Sequence, residues 1–271
     1  MMLDFTEELA AAREVAQLAS ELLRREYENF TAIPDAPVTI STHADKASQQ
    51  LILDFLHKRF PNDALCAEES TPDFDSLPKT GTRAWVVDPI DGTRGFARKV
   101  GQFSAMIGFL WNGEPVAGVV AEPAQNRYTF ARKNGGCWWH VGNNTPTQCR
   151  VSSRGFAELV LVQSWAKTGM SSKPVAALTP ARVIETYSGG VKLAAVARGE
   201  ADVYANTYEA FADWDICAGH ILVTEAGGVV TDLAGNPITY QGANSKQLRG
   251  LVATNGIIHT EAVTRLAKHS A

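Results

Sequence analysis

Much that usually signals function is missing from this 271-residue chain. It has four cysteines, Cys66, Cys137, Cys149 and Cys217, and no pair of them shows a Cys-x-x-Cys spacing. A zinc ribbon and a thioredoxin-like motif are therefore not expected. Scattered cysteines read as buried, reduced thiols, which predicts a cytoplasmic protein. The six histidines form no metal-binding pair either. Any bound metal must then be held by carboxylates, which favours magnesium or manganese over zinc. Basic charge is also lacking: the formal net charge is −4. That predicts no nucleic-acid polymer as partner and no polybasic attachment to a membrane. No apolar run approaches the roughly 20 residues of a membrane span. Met1 to Glu8 is acidic rather than basic and then apolar, so no secretory signal is expected. Repeats, low-complexity tracts and flexible linkers are absent as well.

What is present is an ordinary globular composition, 45% hydrophobic and 20% charged. The length suits one large domain or two closely packed ones. Residues 3 to 28 carry Leu3, Leu9, Ala12, Ala16, Ala19, Leu22 and Leu23 at helical spacing. A second helix, with Leu51, Ile52, Phe55 and Leu56 on its apolar face, ends near Phe60. Thr42 or Asp45 stands where its N-cap belongs. Runs at 103–111, 115–122, 127–132 and 137–141 are separated by turn signals such as Asn112-Gly113, which predicts an antiparallel meander. From about residue 150 strands and helices alternate, ending with a helix from 259, so the second half reads as α/β. The expected division is an α+β unit over 1–145 and an α/β unit over 146–271, joined at a packed seam.

Four places put an acid at the end of an element. The richest is Trp85 to Phe96, where a short apolar run ends in Asp88-Pro89-Ile90-Asp91-Gly92-Thr93. Pro89 cannot donate to a sheet, so the strand is expected to stop there. Two hard oxygen ligands beside a Gly-Thr pair suggest a divalent metal and a phosphate. An Asp-rich turn, with Asp91 as a cap, is an equally open reading of this stretch alone. Asp45 fits a first-turn helix acid as well as a site residue. Glu68-Glu69 fits a solvated strand edge. Asp215, after Trp214, starts a helix that Gly227-Gly228 closes.

Together these segments are similar to the lithium-sensitive, magnesium-dependent phosphatase superfamily that includes inositol monophosphatase. The matching residues are Glu68-Glu69-Ser70, Trp85 through Thr93, Trp214-Asp215 with Ala218-Gly219, and Glu225-Ala226-Gly227-Gly228. The resemblance implies a layered αβαβα sandwich of two packed subdomains. It also implies two to three Mg²⁺ ions, replaceable by Mn²⁺, with Li⁺ inhibitory. Glu68, Asp88 and the Ile90 carbonyl would hold one ion, and Asp88, Asp91 and Asp215 a second. Glu69 would serve a third, weaker position. Gly92 and Thr93 would receive the phosphate through backbone N–H groups. Asp45 and Thr93, with Glu68, would activate a water, so no serine, cysteine or histidine nucleophile is needed. The partner implied is a small phosphorylated metabolite, and a homodimer is compatible with the pattern. A non-catalytic phosphate binder would be marked by a lost ligand, and every ligand position is filled.

For the substrate, Arg94-Gly95-Phe96 and the stretch from Val191-Lys192 to Tyr204 look most like 3′(2′),5′-bisphosphate nucleotidases. Lys192 could meet a second phosphate as a point charge; it could also be a surface residue. Ser188 and Glu209 are further substrate candidates, and Tyr187, Tyr208 and Phe211 are readable as pocket or core. The nucleotidases often have serine three residues before this lysine. Here Gly189 stands there, and Ser188 is one position early. Inositol-1-monophosphatase and histidinol-phosphate phosphatase activities are therefore the alternatives.

Overall fold

The computed structural model describes residues 4–166, 171–208 and 211–269. Two helices come first. In α1 (Thr6–Asn29) an alanine-rich stripe, Ala11, Ala12, Val15, Ala16, Ala19 and Leu23, is almost wholly buried. Such small side chains let the helix lie close against a sheet. In α2 (His43–Arg59) the N-cap is Thr42. Its hydroxyl accepts from the Ala44 N–H, and Asp45 accepts from the Thr42 N–H at 2.7 Å. This reciprocal box satisfies donors that a helix start leaves open.

A seven-stranded sheet follows, its strands in sequence order. They are β1 (Ala64–Ala67), β2 (Arg83–Asp91), β3 (Ser104–Trp111), β4 (Glu114–Glu122), β5 (Arg127–Arg132), β6 (Gly136–Val141) and β7 (Thr147–Gln148). A one-and-a-half-turn helix, α3 (Thr93–Ala97), leaves the end of β2. Only β1 and β2 pair in parallel; the rest is the expected meander. Contrary to expectation, β2 does not stop at Pro89. Its pairing with β3 shifts between Asp88 and Asp91 and then resumes. On the other side β1 ends opposite Val87, so no neighbour there needs the missing proline N–H.

The second half contains β8 (Val160–Gln163), α4 (Lys173–Leu178), β9 (Arg182–Glu185), α5 (Gly189–Ala197), β10 (Val203–Asn206) and β11 (Phe211–Ala212). After these come α6 (Cys217–Glu225), β12 (Val229–Thr231), β13 (Lys246–Gln247), β14 (Leu251–Thr254) and α7 (His259–Lys268). Five of the strands form a mixed sheet in the order β12-β14-β10-β8-β9; β11 and β13 make a separate ribbon. Asp215 closes a 3₁₀ turn, Asp213–Asp215, and α6 starts two residues later than the sequence suggests.

The layers follow from alternation along the strands. Trp85 and Val87 of β2 face α1 and α2, where they meet Val15, Ile52 and Leu56. Ala84 and Val86 face the other way, toward α5 and α6. Those two helices lie between the sheets: Leu193, Val196, Ile221 and Leu222 share one core with Met106 and Val120 of the first sheet and with Val162 and Ala253 of the second. On the far side, α4 and α7 cover Leu161, Val203 and Val252 with Leu178, Ala262 and Leu266. The result is the αβαβα sandwich. All four cysteines are buried and free. No helix among the described residues is long and apolar enough to cross a membrane.

Candidate active site

A cleft of about 870 Å³ opens where β2 ends. Asp88 and Asp91 enter it from that strand, and Asp215 enters from the turn before α6. One carboxylate oxygen from each lies within 4.8 Å of the others. Glu68, just past β1, lines the same cleft but stands outside this trio.

Each acid is held from a different element. Asp91 Oδ2 accepts from the Gly190 N–H at 2.7 Å, from Ser104 Oγ at 3.3 Å, and from Ser188 Oγ. The first turn of α5 thus clamps it. A Cβ on Gly190 would lie 2.6 Å from Ser104 Oγ, so only glycine allows the approach. Asp215 Oδ2 accepts from the Ala212 N–H at 2.6 Å. Asp45 is buried beneath the cleft, and its Oδ1 accepts from Thr93 Oγ1 at 2.8 Å. The same hydroxyl lies 2.8 Å from the Ile90 carbonyl. Gly92 turns the chain at φ +85°, and an added Cβ would meet the Gln102 carbonyl at 2.9 Å.

The acids strain against one another. Asp88 is pushed well above the usual carboxylate range, by burial first and then by Glu68 and Asp91. Burial lifts Asp215 to about 7; the neighbouring Asp91 adds to this, against the lowering effect of the Ala212 N–H. Glu68 is raised to about 8, first by the low-polarity walls around it and then by Asp215. Asp45 is also raised, chiefly by burial. Like charges in a poorly solvated cleft have this effect. Asp88 Oδ1, moreover, is buried with no hydrogen-bond partner. An orphaned carboxylate oxygen among converging carboxylates fits a hard divalent cation that takes oxygen ligands.

Two of the expected substrate residues stand elsewhere. Lys192 is 2% exposed; its Nζ donates to the Tyr187 carbonyl at 3.3 Å and lies 5.2 Å from the Tyr204 ring centre. Burial lowers its ammonium to about 8, with Asp91 and Asp215 opposing that shift. It cannot meet a second phosphate from inside the core. Ser188 is fully buried as the N-cap of α5, and its hydroxyl serves Asp91 and the Val191 N–H. Glu209 lies outside the described residues. Gly92, Thr93, Tyr187, Tyr208 and Phe211 do line the cleft.

Gln49, Ser104 and Gly190 join the site beyond the residues expected from the sequence. Gln49 bonds both the N–H and the carbonyl of Glu69, fixing the loop that carries Glu68. Its signal was available: it lies four residues after Asp45, hence on the same helix face. Ser104 carries no such signal, because its role depends on a contact 84 residues away with Ser188.

The sequence profile of the inositol monophosphatase family matches residues 4–271. A histidinol-phosphatase of Mycobacterium tuberculosis is 31% identical, covering 96% of this chain and 98% of that protein. A fructose-1,6-bisphosphatase/inositol-1-monophosphatase of Thermotoga maritima is 31% identical over 83% of this chain and 81% of its own length. Among solved structures, the Thermotoga maritima IMPase superposes with a TM-score of 0.81 at 28% identity, covering 98% of both chains. These relatives are histidinol-phosphatases and inositol monophosphatases rather than bisphosphate nucleotidases. Together with the burial of Lys192, they leave the nucleotidase expectation unsupported and favour its alternatives.

Proposed function

We propose, from the premise that the chain belongs to the inositol monophosphatase family and is a metal-dependent phosphomonoester hydrolase, that its ester is histidinol phosphate. Magnesium would be held by Asp88, Asp91, Asp215, Glu68 and the Ile90 carbonyl. The observation that carries the metal assignment is the unpartnered, buried Oδ1 of Asp88, a carboxylate that gathers with those of Asp91 and Asp215. The ester assignment is supported by the histidinol-phosphatase relative that matches nearly end to end. Inositol 1-phosphate is the second reading, supported by the Thermotoga maritima relative.

Magnesium, when bound, neutralises the carboxylates and the ester dianion, and makes water acidic enough to react near neutral pH. The chain supplies positioning and proton handling. Thr93 has one hydroxyl hydrogen and two acceptors at 2.8 Å, Asp45 Oδ1 and Ile90 O. It can donate to Asp45 while accepting from an attacking water, and so pass that water's proton inward. Asp45, with its raised pKa, is suited to hold that proton. Gly92 and Thr93 lie on the cleft wall beside the acids, where their backbone N–H groups would receive the ester's phosphate. Displacement at phosphorus then depends on alignment and charge neutralisation rather than on a covalent intermediate.

The test is phosphate release with magnesium from histidinol phosphate, inositol 1-phosphate, fructose 1,6-bisphosphate and adenosine 3′,5′-bisphosphate. Histidinol phosphate should give the highest kcat/KM, and a clear preference for inositol 1-phosphate would select the second reading. Asp215→Asn should lower turnover by about 100- to 1000-fold, the scale of losing one preorganised transition-state contact, with an unchanged circular dichroism spectrum. Near-normal turnover would remove Asp215 from the metal site.

A further inference from the structure

The cleft that holds the acids is also lined by apolar and aromatic side chains, Val38, Ile40, Trp165, Tyr187, Tyr208 and Phe211. Trp165 is 52% exposed and Tyr208 is 69% exposed, unusual openness for large aromatic side chains. Trp165 is nonetheless held in place. Its indole N–H donates to Gln102 Oε1 at 2.8 Å, and its ring leans on Tyr187 with centroids 6.2 Å apart. Tyr187 is fixed in turn: Arg98 donates to its hydroxyl at 2.6 Å. The Ala166 N–H donates to Glu185 at 3.0 Å, which ties down the backbone just past the indole. A rigid, exposed aromatic face beside a phosphate-chemistry site costs little entropy to use.

This lining discriminates between classes of leaving group. A polyol can pair its hydroxyls with the polar side chains that share this lining, such as Thr39, Ser41, Ser164 and Asn206, but it gains little from the exposed aromatic faces. A planar ring loses nothing there and gains stacking. We infer that Trp165 is a specificity-determining residue that stacks against a planar ring on the alcohol half of the ester, with Gln102 as the residue that positions it. The inference rests on the phosphomonoesterase reading and goes further, by stating which part of the chain selects the ester.

The experiment compares kcat and KM for histidinol phosphate, which bears a ring, and glycerol 2-phosphate, which does not, in magnesium. Variants are Trp165→Ala, Trp165→Phe, Gln102→Leu and Gln102→Glu. Trp165→Ala should reduce the ratio of kcat/KM for the ring-bearing to the ringless ester by about tenfold or more, the scale of losing one aromatic stacking partner. The change should lie in KM rather than kcat. Trp165→Phe should restore most of the ratio. Gln102→Leu, which removes the acceptor, should behave like a milder Trp165→Ala, and Gln102→Glu should not. An unchanged ratio in Trp165→Ala, or an equal loss on both esters, would overturn the inference and leave the phosphomonoesterase reading intact. No magnesium-dependent hydrolysis of either ester by the unmodified protein would overturn both.

Discussion

At the scale of single residues, Ser188 tests how the site is built. It has a motif position that invites a substrate role, yet its hydroxyl is spent on Asp91 and on the start of α5. A substrate contact and a ligand-orienting contact predict different defects. Removing a group that orients a metal ligand typically weakens metal affinity or activity about 10- to 100-fold. Ser188→Ala should therefore raise the magnesium concentration needed for half-maximal activity by about that factor, with a smaller change in KM for the ester at saturating magnesium. A change confined to KM for the ester would return Ser188 to the substrate. Asp88, Asp91 and Asp215 were legible because acids at strand and helix ends repeat a known pattern. Ser104 and Gly190 were not, because their roles depend on contacts across the fold with Ser188 and Asp91, whereas Gln49 shares the Asp45 face of α2.

Among the elements, α6 carries a group whose burial has a measurable consequence. His220 Nδ1 lies 2.8 Å from the Tyr240 hydroxyl, and burial lowers the imidazole from 6.5 to about 4. A base whose folded pKa is depressed is protonated more readily in the unfolded chain. Its contribution is complete above pH 6.5 and is lost as the pH falls through 4. The amount lost is at most on the order of 3 kcal/mol. In urea titrations, His220→Gln should flatten the fall in stability between pH 6.5 and 4 relative to the unmodified protein. Parallel curves for the two proteins would show that His220 does not titrate in this range. Periodicity and turn residues announced most elements, including the meander and the glycine-terminated α6. The departures are local: Pro89 signals a strand end in sequence, and only the structure shows that β1 stops opposite Val87 and leaves room for it. The ribbon of Phe211–Ala212 with Lys246–Gln247 was missed because two-residue strands have no period to detect.

For the whole molecule, the cleft joins the two halves of the chain, since Asp88 and Asp91 come from the first sheet and Asp215 from the turn that leads into the shared helical layer. Their mutual repulsion is a cost that folding alone does not remove. Glu68 is raised from 4.5 to about 8 and Asp215 from 3.8 to about 7. A carboxylic acid with a raised folded pKa supports the fold while protonated, so its contribution is complete below the unfolded value and is lost as pH rises through the folded one. Protein treated with EDTA should therefore lose melting temperature as pH rises through 7 and 8. Magnesium held by the ionised carboxylates would reverse that loss, so its stabilising effect should grow over the same range. At a hundredfold excess over Kd the gain is about 2.7 kcal/mol, or roughly 5 to 10 °C for a chain of this size. Asp88→Asn provides the internal check. Replacing a buried, crowded carboxyl with an amide that cannot ionise should raise the melting temperature of the metal-free protein at pH 8 and remove most of the magnesium-dependent gain. Identical melting curves in magnesium and EDTA at pH 8, with Asp88→Asn no more stable than the unmodified protein, would mean that these carboxylates neither repel strongly nor gather a metal.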